Sequence, residues 1–176
     1  LQRLLQAMAE DENQQTARIM KMALAMGMRR GEIFRLQWDD IDFERGFLFI
    51  RKSKGGKASH LPLSEMAREI LREQPRTSDY VFPNPEGDQL QNIYPALRRI
   101  RKRAGLPESF RPMHGLRHVY ASLLASAGTV DMYTLQKLLT HKSPIMTQRY
   151  AHLRDEALRA ASGVAGDIIQ DAAEKA

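Results

Sequence analysis

The sequence predicts a mainly α-helical domain carrying one small three-stranded antiparallel β-sheet. Three observations predict it. Apolar residues recur at helical spacing through most of the chain, beginning with Leu1, Leu4, Leu5 and Met8. The pattern shortens to strand spacing only between residues 41 and 63. Within that stretch the apolar runs are separated by glycine-bearing turns, Glu44-Arg45-Gly46 and Lys54-Gly55-Gly56-Lys57, as hairpins require.

The elements follow in order. After the opening helix, residues 14–26 form a second, with Ile19, Met20, Ala23 and Leu24 inward and Gly27 as its stop. A third covers residues 30–37 and buries Ile33, Phe34 and Leu36. Strands are expected at residues 41–43, 47–50 and 60–63. Ser64 is placed to cap a helix reaching residue 73. Residues 75–88, rich in Pro, Asp and Gly, read as a loop, and a basic helix over 90–104 is bent or restarted at Pro95. Helices near 114–127, 131–140 and 144–150 come next. From Leu153 onward, Leu158, Ala161, Ala165, Ile168 and Ile169 mark an amphipathic tail softened at Gly163 and Gly166. There is no internal repeat and no low-complexity segment.

Composition narrows the function classes. A chain of 176 residues suits one domain of ordinary size. With 27 Lys and Arg against 21 Asp and Glu, the net charge is +6, which favours a polyanionic partner. The charge is uneven: residues 153–176 hold three cations against five carboxylates, so the positive field belongs to residues 1–152. There is no cysteine, which excludes disulfides and thiolate metal sites. No apolar run approaches the roughly 20 residues of a membrane span. Residue 1 is Leu and lies inside an amphipathic stretch, so an excised piece of a longer protein is expected.

Several residues carry chemistry. His114 and Arg117, three apart at a helix start, share a face. Arginine is shaped to hold two phosphate oxygens at once. Taken alone, His114-Gly115-Leu116-Arg117 is more often a solvated face, and Arg29 an ordinary helix-start charge. Lys54 sits at a hairpin tip that either is a plain polar turn or delivers an ammonium to a substrate. Five tyrosines are present. Tyr120 and Tyr133 have apolar neighbours and read as core, Tyr94 could stack on the basic helix, and Tyr80 falls in the loop. Tyr150 differs: Arg149 and His152 flank it and His141 lies nine residues upstream. A phenol with an ordinary pKa near 10 attacks at neutral pH only beside a base or in a strong positive field. Imidazole, guanidinium and phenol together are suited to opening a phosphodiester without a metal.

The order of these groups is more specific than any one of them. Gly27-Met28-Arg29-Arg30-Gly31-Glu32 followed by Leu36-Gln37-Trp38-Asp39-Asp40-Ile41-Asp42 resembles the first arginine box of the tyrosine recombinases, the phage-integrase family. Ser53-Lys54-Gly55-Gly56-Lys57 leading into Leu61-Pro62-Leu63 resembles its lysine hairpin. His114-Gly115-Leu116-Arg117-His118 resembles its second box, and Leu138-Leu139-Thr140-His141 with Tyr150-Ala151-His152 its third. The resemblance spans about residues 1–155. Departures are Arg30 where an apolar residue is frequent, Gly31 for a common serine, and Thr140 where a glycine usually precedes the histidine. None removes a group the chemistry needs.

The resemblance implies the integrase catalytic-domain fold over residues 1–152, a subunit-docking tail over 153–176, and an N-terminal DNA-clamping domain outside this chain. It implies a site-specific recombinase. Tyr150 would attack the scissile phosphate to give a 3′-phosphotyrosyl enzyme and a free 5′-hydroxyl. Arg29 and Arg117 would clamp the non-bridging oxygens. His114 would accept the tyrosine proton, His141 would hydrogen-bond the phosphate, and Lys54 would protonate the leaving oxygen. Glu32 would orient a basic neighbour. No cofactor, metal or ATP is needed, since one ester is exchanged for another. The basic cluster Arg98, Arg99, Arg101, Lys102 and Arg103 is expected on the DNA backbone. Double-stranded DNA at a specific site is the expected partner, with four copies assembled on it and a monomer or weak oligomer when free. The expected setting is the cytoplasm, at the bacterial nucleoid or in a phage-infected cell, with no membrane. A non-catalytic DNA-binding relative and a nicking-closing topoisomerase are the alternatives.

Overall fold

The computed structural model describes residues 1–51, 58–159 and 164. It opens with two helices, α1 (Gln2–Ala9) and α2 (Gln14–Met26). The Asn13 side chain caps α2 by accepting from the Thr16 N–H at 2.8 Å. Gly27 ends the helix in the left-handed region, φ 62°. On the inner face of α2, Ile19, Met20, Met22 and Ala23 are fully buried. The short helix α3 (Arg30–Phe34) follows. It stops three residues before the expected end because the chain there turns to pair elsewhere: Gln37 forms a bridge with Tyr80, and the Leu36 carbonyl accepts from the Val81 N–H at 2.9 Å.

The sheet is three-stranded and antiparallel in the order β1 (Ile41–Asp42), β2 (Phe47–Ile50), β3 (Ser59–Pro62). Leu48 faces Leu61 across the ladder, and both are buried with Ile50, so one face of the sheet joins the core. Helix α4 (Glu65–Arg72) is capped by Ser64, whose hydroxyl accepts from the Ala67 N–H and donates to the Ala25 carbonyl of α2. Residues 75–88 are not merely a loop. Val81 and Phe82 are fully buried and belong to the core. Helix α5 (Tyr94–Arg103) has Pro95 in its first turn, where the absent N–H breaks no helical hydrogen bond. Residues 90–93 therefore lie outside the helix, a correction to the expected start.

Helices α6 (Pro112–Ser126), α7 (Met132–Leu138) and α8 (Ile145–Gln148) complete the named elements, and residues 151–159 are helical. The rest of the expected tail, and Lys54 at its hairpin tip, lie outside the described residues. The chain forms two compact units, Leu1–Tyr120 and Ala121–Ala176. In the first, one continuous core runs from Leu4 to Leu116. In the second, Ala121, Ala125, Leu135 and Leu139 are buried. Leu135 and Leu139, four apart, define the inward face of α7. Tyr133 is two residues off that face and is 66% exposed, under the Lys137 ammonium at 5.0 Å, so it is not a core residue as its neighbours suggested. Among the described residues no helix is long and apolar enough to cross a membrane.

Candidate active site

The first unit assembles its cationic site around the end of α2. Gly27 serves it in two ways. Its left-handed backbone suits glycine, and a Cβ there would fall 2.3 Å from Cδ1 of Tyr120. With the turn this tight, the Gly27 carbonyl accepts a hydrogen bond from Nη1 of Arg117 at 2.5 Å. Arg117 is only 7% exposed. Burial pushes the neighbouring Tyr120 phenol above its ordinary pKa, with Arg117 acting in the opposite direction.

Arg29 occupies the extended position just before α3. Glu32, 4% exposed, binds it twice: one carboxylate oxygen accepts from the Arg29 backbone N–H at 2.8 Å and the other from Nη1 at 3.0 Å. A buried carboxylate thus fixes both ends of the arginine, the charge-assisted geometry suited to presenting a guanidinium. Arg30 is exposed and takes a different course, donating to the Tyr94 hydroxyl with its guanidinium 5.3 Å from that ring.

His114 lies in the first turn of α6, exposed. Gly115 beside it leaves room for the Phe110 ring, whose Cε2 would be 2.4 Å from any Cβ. His114 and His118 approach edge to face, with centroids 4.3 Å apart and Nε2 atoms 2.7 Å apart. Arg29, His114 and Arg117 all line one cleft of about 560 Å³. Arg30, Arg98, Arg101 and Arg111 line it too, making six arginines against a single carboxylate, Glu108.

The basic cluster of α5 therefore divides. Arg98 and Arg101 face the cleft, with Arg101 donating to the Glu108 carbonyl at 2.7 Å. Arg99 and Arg103 turn to the other side. Arg99 pairs with Asp11 at 2.9 Å and Glu12 at 3.0 Å, and Arg103 lies 3.8 Å from Asp11. The Asp11 side chain is fully buried, and the Arg99 hydrogen bond holds its carboxyl below the usual carboxylate range. Lys102 is exposed.

The second unit holds His141 and Tyr150. Asp131 caps α7 by accepting from the Tyr133 and Thr134 N–H groups, each at 2.9 Å. Beyond the helix Thr140 adopts φ 49°, the left-handed region that favours glycine. This turn lets the His141 N–H reach the Gln136 carbonyl at 3.0 Å. The imidazole Nδ1 contacts Oγ1 of buried Thr147 at 2.8 Å. Tyr150 follows α8 and is 6% exposed. Thr147 and Arg111 were not singled out from sequence, while Arg30 stood out only as a departure, Tyr94 only as a side chain that could stack on the basic helix, and His118 only as the end of the second box. His118 also had a signal in its spacing, standing one helical turn after His114. Among the described residues no group of three or more His, Asp or Glu side chains could hold a metal.

The sequence and the helical fold are shared with known proteins. Residues 1–157 match the phage integrase family, and the chain belongs to it. The chain is 34% identical over 157 residues to the tyrosine recombinase XerC of Oceanobacillus iheyensis, covering 81% of this chain and 50% of that one. It is also 34% identical over 155 residues to the integrase of Salmonella phage P22, covering 77% of this chain and 38% of the integrase. Among solved structures, XerA recombinase aligns with a TM-score of 0.73 at 27% identity, over 91% of this chain and 60% of that one. XerH site-specific recombinase, bound to a palindromic difH substrate in a post-cleavage complex, aligns at 0.73 and 26%, over 93% and 50%. The catalytic domain of bacteriophage HP1 integrase aligns at 0.68 and 25%, over 92% and 88%. The chain spans about half the length of the curated relatives it matches.

Proposed function

We propose that this chain is the strand-cleaving part of a site-specific DNA recombinase. The observation that carries this is the convergence of Arg29, His114 and Arg117, up to 88 positions apart in the sequence, on one cleft. Two guanidiniums held by a buried carboxylate and a backbone carbonyl are ready to receive phosphate oxygens. They need little reorganisation as charge builds on the phosphorane. The surrounding arginines exceed what one phosphodiester requires, so Arg30, Arg98, Arg101 and Arg111 suit the neighbouring phosphates of a DNA strand.

In this reading Tyr150 Oη attacks phosphorus in line and the phosphotyrosyl bond forms at the 3′ side. The tyrosine proton passes to His114, His141 supports a non-bridging oxygen, and Lys54 protonates the departing 5′-oxygen. A partner strand's 5′-hydroxyl later reverses the attack, so no ATP is consumed. Tyr150 is buried, so it must become accessible before it reaches DNA. Arg99 and Arg103, committed to Asp11, hold α5 in place, which leaves Arg98 and Arg101 as its phosphate contacts. We read residues 1–152 as the catalytic domain and 153–176 as a segment that docks on another subunit. The working assembly is four copies on paired DNA sites, and the working place is the cytoplasm.

The test is covalent trapping. The chain is incubated with a random library of nicked duplexes, and complexes surviving SDS but lost to protease are counted. The expected result is an adduct with the natural chain and none with Tyr150→Phe. A library yielding no adduct, or yielding equal adduct from both, overturns the reading.

A further inference from the structure

The contact between His114 and His118 restricts how the site takes up a proton. The two residues stand four apart on α6, so their side chains meet on one face. With Nε2 atoms 2.7 Å apart, two facing lone pairs would repel, and so would two facing N–H groups. One proton therefore lies between the rings. In the neutral pair one ring is the Nε2–H tautomer and the other presents a lone pair. An added proton makes one ring an imidazolium donating to its neighbour, a shorter and stronger bond than the neutral one. A second added proton would break the contact.

The surroundings make this consequential. The cleft beside His114 is lined by Arg29 and Arg30 from the start of α3, and by Arg98 and Arg101 from α5. Arg111 and Glu108 line it from the segment before α6, and Arg117 from α6 itself. Such a field opposes a lone imidazolium. A base there needs something to hold its added charge.

We propose that the proton acceptor of this site is the His114–His118 pair, with His118 as a positioning residue that acts through His114. The proposal rests on the functional reading above for its role in cleavage. The proton leaves Tyr150 Oη, binds an imidazole nitrogen of His114, and is held because the Nε2–H of the resulting imidazolium donates to the His118 lone pair. The phenolate electron pair goes to phosphorus. When the strand is rejoined, the proton returns to the tyrosine.

The test uses the full chain labelled with ¹⁵N, and reads the imidazole nitrogens by NMR across a pH series without DNA. In the natural chain the two rings should titrate as a coupled pair in two separated steps, each step visible at both residues. In His118→Leu, His114 should titrate in one step with its midpoint lower by about one pH unit. In His118→Gln, whose amide oxygen accepts from His114 but takes no proton, the His114 tautomer should be retained while the second step disappears. Thermal unfolding checks that each variant is folded. The acid limb of the pH profile of DNA cleavage should shift to lower pH in His118→Leu by about the same one unit, since the base is already neutral at lower pH, and its limiting rate should fall. A His114 titration that is the same with and without His118 overturns the pairing. A changed titration with an unchanged cleavage profile and limiting rate overturns its role. Absence of cleavage by the natural chain counts against the functional reading, while the titration still decides the pairing.

Discussion

Residues 1–120 and 121–176 bury their apolar side chains to different depths. In the first unit Met8, Ile19, Met20, Ile33, Leu48, Leu71, Phe82 and Ile100 are all essentially inaccessible and belong to one core. In the second, the fully buried apolar residues among those described are Ala121, Ala125, Leu135 and Leu139, while Leu123, Tyr133, Ile145, Met146, Leu158 and Val164 are exposed. The chemistry divides the same way. The arginines that would hold a phosphate stand on the deep core, braced by Glu32 and the Gly27 carbonyl. The tyrosine that would attack stands on the shallow one. Preorganised charge needs a rigid support, whereas a nucleophile that starts buried and must become accessible is better placed where little packing has to be undone.

Substitutions can break or sharpen this contrast. The largest expected effect is Phe82→Ala, which opens a cavity in the first core and should cost about 3–5 kcal/mol in denaturant unfolding. A loss below about 1 kcal/mol would show that the core is less continuous than described. Next is Asp11, which ties α5 to the turn between α1 and α2. Its carboxyl is held below the ordinary value in the folded chain. It therefore contributes stability above the unfolded value, and that contribution is lost as pH falls from about 4 through the lowered folded value. Asp11→Asn should destabilise the chain at neutral pH and flatten its acid-side stability curve, measured by thermal unfolding across pH. An unchanged slope would mean that the carboxylate is not coupled to folding. The smallest effect belongs to the second unit: Ile145→Ser, at a side chain 74% exposed, should stay within about 0.5 kcal/mol.

What sequence disclosed depended on range. Helix α2 was readable because its cap, its stop and its apolar stripe lie within fifteen residues, Asn13 to Gly27. The sheet was readable from strand spacing and turns. The candidate site residues were readable because their order is distinctive, although the convergence of Arg29, His114 and Arg117 on one cleft is not visible there. The division of α5 was hidden, since it depends on Asp11, 88 residues from Arg99. So was the core role of Val81 and Phe82, which follows from pairing between residues 36–37 and 80–81. Tyr133 misled because apolar neighbours in sequence are not neighbours on a helix face. The one-turn spacing of His118 from His114 is visible in the sequence, but its consequence required the ring geometry.

In the proposed reaction Tyr150, and no other tyrosine, takes the phosphate. Trypsin cutting after Arg149 and Arg154 isolates it in a five-residue peptide. Mass spectrometry of the trapped DNA complex after nuclease digestion should find the nucleotide remnant on the peptide spanning Tyr150, linked through its 3′-phosphate. A remnant on Tyr80, Tyr94, Tyr120 or Tyr133, or a linkage through the 5′-phosphate, would contradict it.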